Sequence, residues 1–371
     1  MVETFNFEIP KKEIVISKAQ SVGKNIVNFG ADNLYPTHME SLIDSSETAS
    51  LCVKTETKFL ATGFVNESLD DKIVGKNWMN NDYYLSDLLY DIAYSISKFR
   101  GAYLSVTRDL TGVVKDIHLV DFPMVRFTEF DDSMHSNAVI IGDWSKTIKK
   151  VNNKKNFSIL PLYKSDYQVF KRLSEIYKTT TSIYPIFENT VYYYPLNQYE
   201  SVANDMGSEY ELQVNRYEEI TQGSPAKIVI ATDLSTDERK REKQLEQIKS
   251  FAGSKGNRVL VIKTSFGEDG EPITNGYKLD KIEDTRDLSK FIEAEGQIEK
   301  NIRKVAQIPS ILVSPNDGAT IDSSAAQMKM AIRYYNDICS PTRELISKSL
   351  TKILGEDCTL KEFSDDSYSD F

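Results

Sequence analysis

IPSILVSPNDGATIDSSAAQMKM, residues 308–330, stands between two stretches of helical period. Upstream, Asp284 to Gln307 carries Leu288, Phe291, Ile292, Ile298, Ile302, Val305 and Ala306 on one stripe. At 1.5 Å per residue such a helix spans about 36 Å. Pro309 ends it, because the residue before a proline is driven out of the helical region and the ring cannot continue the hydrogen-bond ladder. The turn-rich SPNDGAT follows, and then Ser324 with Gln327 reads as a capping box that starts a second helix. That helix carries Met328, Ala331, Ile332, Tyr335, Ile338 and Cys339. Pro341, with Ser340 as cap, kinks or restarts it, and Leu345, Ile346, Leu350, Ile353 and Leu354 continue the stripe to Gly355. The acidic tail beyond Glu356 is expected to be loose at its end. A chain that stops one long helix, turns, and carefully starts another raises three options for the turn: a ligand loop, a catalytic loop or a mechanical part.

Working outward, the helical period returns at Asn197–Gln222 through Tyr199, Val202, Met206, Tyr210, Val214, Tyr217 and Ile220, and Gly223-Ser224-Pro225 stops it. Residues 226–231 and 258–262 read as strands. Between them Ser235 and Glu238 cap a helix carrying Leu245, Ile248 and Phe251, and 267–276 is rich in turn residues. Residues 223–283 are therefore a compact β-α-β-β insert between two helices. In the N-terminal half, Ile14–Ile16 reads as a strand and NFGADNLYP as turn chemistry leading to Pro36. Helices follow from Thr37 to Ala61, with a capping break near Asp44-Ser45-Ser46, and from Leu85 to Phe99. Residues 101–195 change character: GAYLSVTRD, VVKDIHLVD, MVRFTEF, AVIIGDW, SILPLY and VYYYPL read as short, mostly antiparallel strands. The fold class is α+β. The basic loop KTIKKVNNKK (146–155) reads as solvated, with a phosphate contact as the alternative.

The bulk numbers exclude several classes. With 371 residues the chain holds two or three domains or one elongated multi-part subunit. Apolar residues at 40% suffice for a core, and 20 Tyr with 17 Phe favour large packed faces. A net charge of −10 argues against gripping nucleic acid over the whole surface. No stretch approaches the length of a membrane span, and MVETFNFEIPKKEIVIS is not expected to be a signal peptide. Cys52, Cys339 and Cys358 are scattered, which points to a reducing compartment.

Chemistry-bearing motifs are thin. GSKGNR (253–258) lacks the pattern of a phosphate cradle and reads as a helix end with its loop. His38, His118 and His135 show no metal-pair spacing, so neither a metal nor a cofactor is expected. The pairs Asp131-Asp132 and Asp365-Asp366 read as solvated, and Asp121 with Arg126 as a structural ion pair. A non-enzymatic role is the expectation.

Three stretches together carry a resemblance. NFGADNLYPTHMESLIDSSETASLCVKTETKFLATGF (28–64) is similar to the N-terminal pattern of portal proteins of tailed bacteriophages, and SKFRGAYLSV (97–106) to their helix-glycine-strand step. AQIPSILVSPNDGATIDSSAAQMKMAIRYYNDICSPTRELISKSLTKIL (306–354) resembles the most telling portal segment. The similarity covers nearly the whole chain in order. It implies a portal-like subunit with an α/β wing over 1–196, two stem helices at 197–222 and 284–307, and a small clip at 223–283. A tunnel loop at 308–323 and a long kinked helix at 324–354 would follow, with 355–371 a minimal crown. It further implies a dodecameric ring at one capsid vertex. Double-stranded DNA would pass through the ring during packaging and ejection. Terminase, the major capsid protein and a neck or tail adaptor would be partners. The protein would be made in the bacterial cytoplasm and reside in the virion, with no membrane contact.

Elementary electrostatics agrees with such a role. Twelve copies at −10 give a ring of about −120, so the wall repels DNA where a lysine-lined bore would hold it. The implied tunnel-loop tip, Ser314, Pro315, Asn316, Asp317, Gly318, Ala319 and Thr320, is small and polar with one acid and no base. Lys300, Arg303 and Lys304 are the candidates for a basic ring; their other reading is pairing with acids of a neighbouring subunit or facing solvent. The Tyr-rich face of 199–220 is expected to pack against helices. Glu268, Asp269 and Glu271 would meet a basic partner of the clip. Two alternatives stand beside this: another structural or adaptor protein of a phage-like particle, and an enzyme acting on nucleic acid through Lys255 or Asp131.

Overall fold

The computed structural model describes residues 16–19, 24–128, 137–144, 157–188, 193–222, 227–230, 259–260, 279–282, 288–313 and 321–364. The chain divides into a larger unit, Met1–Gly207 with Glu299–Phe371, and a smaller one, Ser208–Ile298. The larger unit opens with β1 (Ile16–Ala19) paired antiparallel to β2 (Lys24–Val27). The turn after β2 is built by side chains: Asn33 Oδ1 accepts from the Phe29 amide at 3.0 Å and Asp32 Oδ1 from that of Leu34 at 2.9 Å. Pro36 then sits in the first turn of α1 (Tyr35–Ser45), where its missing N–H costs nothing. Ser46 ends α1 and caps α2 (Glu47–Leu60), accepting from the Ala49 amide at 3.1 Å, where the sequence placed the break. A short hairpin, β3 (Ile73–Lys76) with β4 (Asp82–Tyr84), leads into α3 (Leu85–Phe99). The stripe Leu85, Leu88, Leu89, Ile92, Ala93 and Ile96 is entirely buried, so the period of 3.6 was a core face.

Arg100, in the left-handed conformation at φ 61°, ends α3 and turns the chain straight into β5 (Gly101–Arg108). Gly101 is needed there: a Cβ would lie 2.8 Å from the Phe187 ring and 3.0 Å from Pro195. β5 is the centre of one antiparallel sheet, flanked by β6 (Val114–Val120) and, later in the chain, residues Thr181–Phe187. β7 (Val125–Phe127), β8 (Ala138–Gly142) and β9 (Phe157–Pro161) make a second antiparallel sheet. The helix α4 (Tyr167–Tyr177) then precedes β10, the Thr181–Phe187 strand. The basic loop 146–155, with His135 and Asp131-Asp132, lies outside the described residues.

Two elements here differ from the sequence reading. α4 lies where the sequence reading placed only strands, although Phe170, Leu173 and Tyr177 recur at helical spacing; of its residues Phe170 alone is buried. VYYYPL is no strand across its described residues 193–196. The Tyr194 hydroxyl donates to the Val27 carbonyl at 2.8 Å and accepts from the Phe127 amide at 2.9 Å, while its ring stacks on Phe29 at 4.2 Å. The aromatic run plugs the core; it does not pair along an edge.

Asn197 caps a 3-10 turn over Gln198–Val202, which runs into α5 (Ala203–Gln222). In the smaller unit, β11 (Lys227–Ile230) lies between β12 (Val259–Leu260), parallel to it, and β13 (Leu279–Ile282), antiparallel. The helix expected between 231 and 258 lies outside the described residues. α6 (Leu288–Ala306) brings the chain back into the larger unit. α7 (Ser310–Val313) is a single turn, and α8 (Ile321–Leu354) is one helix of 34 residues, about 51 Å long.

α8 corrects two boundaries. It begins at Ile321, about a turn before the expected Ser324–Gln327 box, so Ser324 lies inside the helix and does not cap it. It also runs through Pro341 without restarting. Proline removes the bond to the Asp337 carbonyl and crowds it. Arg343 braces this turn: its guanidinium donates to the Asn336 carbonyl at 2.8 Å, to Asn336 Oδ1 at 2.9 Å, and to the Phe59 carbonyl of α2 at 3.0 Å. The acidic tail is also tied down as far as 364. Val65 donates to Thr359 at 2.8 Å, Lys361 to Gly63 at 3.0 Å, and the Phe363 ring stacks on Phe59 at 4.3 Å.

Beneath these elements lies a buried ionic node. Arg100 meets Glu56 with two donors, at 2.7 and 3.0 Å, and Glu188 at 3.1 Å. Gln198 donates to Glu56 at 3.3 Å, and Thr342 of α8 donates to Glu188. Burial raises the Glu56 carboxyl against the lowering pull of Arg100. A second buried cation, Lys98, sits between Glu40 at 3.0 Å and Asp44 at 2.8 Å. A third, Arg126, has no exposure at all and does not pair with Asp121 as expected. It donates to Asn33 Oδ1 and the Asn33 carbonyl, both at 2.6 Å, and to the carbonyls of Pro123 and Val125. Burial pushes this guanidinium down to about 10. Glu56→Ala leaves Arg100 half-paired in the core and should cost about 3–5 kcal/mol in urea unfolding; a loss below about 1 kcal/mol would show the node to be dispensable.

Candidate functional site

The residues singled out for DNA contact cluster around the C-terminal end of α6. How that end is built decides which of them can reach outward. Gln307 is left-handed at φ 55°; the Gln307 amide donates to the Lys304 carbonyl and the Ile308 amide to that of Arg303, both at 3.2 Å. This pair of bonds is a Schellman stop, and Pro309 then forbids continuation. The termination expected at Pro309 is therefore made two residues earlier by backbone geometry.

The stop sets the faces of the last turns. Ile302, Ala306 and Ile308 are buried, at 0%, 4% and 5% exposure. Arg303 lies on the same side at 8% and faces Glu299 at 3.3 Å. Its Nη1 makes no hydrogen bond, so that contact is Coulombic. Lys300 and Lys304, one turn apart, are exposed. The three cations are thus split: two lysines project into solvent and the arginine belongs to the helix packing. Arg303 and Lys304 also sit in the last turn, where positive charge complements the helix dipole. Asn301 reaches across to Asp205 of α5 at 3.0 Å, and in the smaller unit Arg216 pairs with Glu295.

The loop tip Ser314, Pro315, Asn316, Asp317, Gly318, Ala319 and Thr320 lies outside the described residues, as do Glu268, Asp269 and Glu271. The Tyr-rich face of α5 divides. Tyr199, Val202 and Met206 are buried in the larger unit, whereas Tyr210 and Tyr217 in the smaller one are 44% and 68% exposed. Large apolar side chains also face water at the β3–β4 turn, where Trp78 is 91% exposed, and at Leu110 (80%) and Met330 (74%). Sequence periodicity had no means of finding Trp78, because a turn has no face to read.

His38 approaches Asp32 at 3.6 Å on the surface, and His118 stacks on Tyr83 at 5.7 Å. Lys255 and Asp131 lie outside the described residues. Among the described residues no three His, Cys, Asp or Glu side chains could share a metal ion, and no helix is long and apolar enough to cross a membrane. All three thiols are buried; burial pushes that of Cys339 up to about 12, against the character of a nucleophile. The perturbed groups Glu56, Tyr199, Tyr335 and Cys339 crowd around the Arg100 node, so their shifts report burial in a core.

No protein-family model matches the chain, and no curated protein does. Solved structures do. A chain of the virion of a native gene transfer agent particle superposes with a TM-score of 0.51 at 12% identity, over 87% of this chain and 83% of that one. The chain has the fold of a virion subunit. A chain from the neck of an empty gene transfer agent particle gives 0.49 at 11% identity, covering 88% and 84%. An HK97-family phage portal protein from Corynebacterium diphtheriae gives 0.45 at 9%, covering 79% and 84%. The shared fold rests on the first of these.

The split between the cations is measurable. Lys300→Ala and Lys304→Ala should each leave urea unfolding within about 0.5 kcal/mol of the parent, as surface changes do. Arg303→Ala should cost about 1–3 kcal/mol through lost packing and an uncompensated Glu299. Equal effects at all three positions would contradict the assigned faces.

Proposed function

We propose that this chain is the portal subunit of a tailed phage or phage-like particle. Twelve copies would close into a ring at one capsid vertex, through which double-stranded DNA enters during packaging and leaves on ejection. The observation that carries the reading is the fold shared with a virion subunit over most of both chains. The order of parts in the sequence supports it: α5 and α6 bracket a small sheet unit, and a short loop then leads into the long α8. Fold alone does not fix function, so the reading also leans on charge and on the thinness of chemistry in the chain.

A channel for moving DNA must touch it weakly. Each strongly held phosphate adds a salt-dependent increment of affinity, and many such contacts would stall translocation. In this reading the wall is acidic in sum, and Lys300 and Lys304 are sparse points of attraction that position the backbone without reading bases. Residues 314–320 are the polar tip that meets the passing duplex. Glu268, Asp269 and Glu271 of the clip face a basic partner, terminase during packaging and a neck or tail adaptor afterwards. The wing meets the major capsid protein. The protein is made in the host cytoplasm, works in the virion, needs no cofactor and catalyses nothing itself.

Negative-stain electron microscopy of the purified chain should show annular particles with about twelve-fold symmetry. Monodisperse monomers at high concentration would overturn the reading. A variant in which Asn316-Asp317-Gly318 is replaced by a shorter linker should still form rings but package or retain DNA poorly in a particle assay. Loss of ring formation in that variant would instead give the loop a packing role.

A further inference from the structure

The chain passes between its two units at 207–208 and again at 298–299, and at each passage it is helical. Each of those helices carries a single glycine. Gly207 is the last residue of the larger unit on α5, and Gly296 lies two residues short of the smaller unit's end at Ile298 on α6.

A glycine inside a helix has few physical uses. It can adopt a left-handed backbone, it can let another group come closer than a Cβ allows, or it can soften the helix. Neither Gly207 nor Gly296 has a positive φ. A Cβ built on either would meet nothing within 4 Å among the described residues. The contrast with Gly101 and Gly142 is direct: there a Cβ would lie 2.8 and 2.1 Å from an aromatic ring. Against the described residues, alanine would fit at both helical positions and would be the better helix former. The surroundings of α5 differ on the two sides of Gly207: Met206 is fully buried, while Tyr210 one turn on is 44% exposed. On α6 no residue from Glu293 to Asn301 is buried, so Gly296 lies in a stretch that packing holds less than the turns from Ile302 onward.

We propose that Gly207 and Gly296 are paired soft points, at which α5 and α6 open locally more readily than along the rest of their length. Each helical connection then yields near the boundary between the units. This inference does not depend on the portal reading.

Hydrogen exchange on the full-length chain tests it. Peptides over 203–211 and 292–300 should exchange faster than those over 212–217 and 301–306 of the same helices. Gly207→Ala and Gly296→Ala should each slow local exchange about fivefold, the factor set by the Gly–Ala difference in helix propensity. Helix content and oligomeric state should be unchanged. Exchange that is uniform along both helices, or unaltered by the alanines, would overturn the proposal. So would alanine variants that lose assembly with exchange unaltered, which would mean that the glycines admit the close approach of another chain. Should an alanine variant fail to fold, serine at the same position, small and of intermediate propensity, carries the same test with a smaller slowing.

Discussion

A charge taken out of water must be met by an opposite one, and in this chain that requirement ties distant segments to one point. Arg100 lies where α3 ends, and its left-handed backbone directs the chain into the central strand β5. Its side chain holds Glu56 from α2 and Glu188 from the end of β10, and Thr342 from α8 completes the set. A buried pair of this kind adds little net stability over a well-packed apolar contact, but every partial version of it is expensive. The node therefore works as a register lock. It leaves α2, α8 and the central sheet one relative position in which no charge is stranded. Arg343 repeats the device one turn along α8, reaching the Phe59 carbonyl and bracing the proline turn together.

How much of this was legible in the sequence depended on the range of the interaction. Local rules did well. Ser46 as a cap, the buried stripe of α3, the strands around GAYLSV and AVIIG, and Gly355 as a stop all act within a few residues. Properties set by distant partners were invisible. Glu56 and Arg100 are 44 positions apart, and Arg126 sits 93 from Asn33. Nothing near Arg126 announces that carbonyls will solvate it in place of Asp121. The same limit explains VYYYPL, where an aromatic run mimics a strand but spends its polar groups on β2 and β7. Of the candidate site, the sequence reading offered Lys300, Arg303 and Lys304 together, as a basic ring or as partners of a neighbour's acids or of solvent, and did not separate them, because three cations within five residues look alike until packing sorts them.

The electrostatic and mechanical sides of the proposed role meet in the same short region. An acidic subunit that must let a polyanion pass gains from having few cations and from keeping them at known places. The burial of Arg303 removes the strongest phosphate ligand of the three from that duty. What is left outside is a pair of lysines, whose hydrated point charges suit brief, undirected contact.

The double stop at the end of α6 has a further consequence. The Schellman bonds at Gln307 and the following Pro309 fix the exit of the helix by backbone geometry alone, and α8 is fixed on the other side by α2 through Arg343. Both posts of the intervening stretch are thus set by contacts of the flanking helices. Closure entropy grows only slowly with loop length. That stretch can therefore lengthen, shorten or change its polarity at little cost to the frame around it.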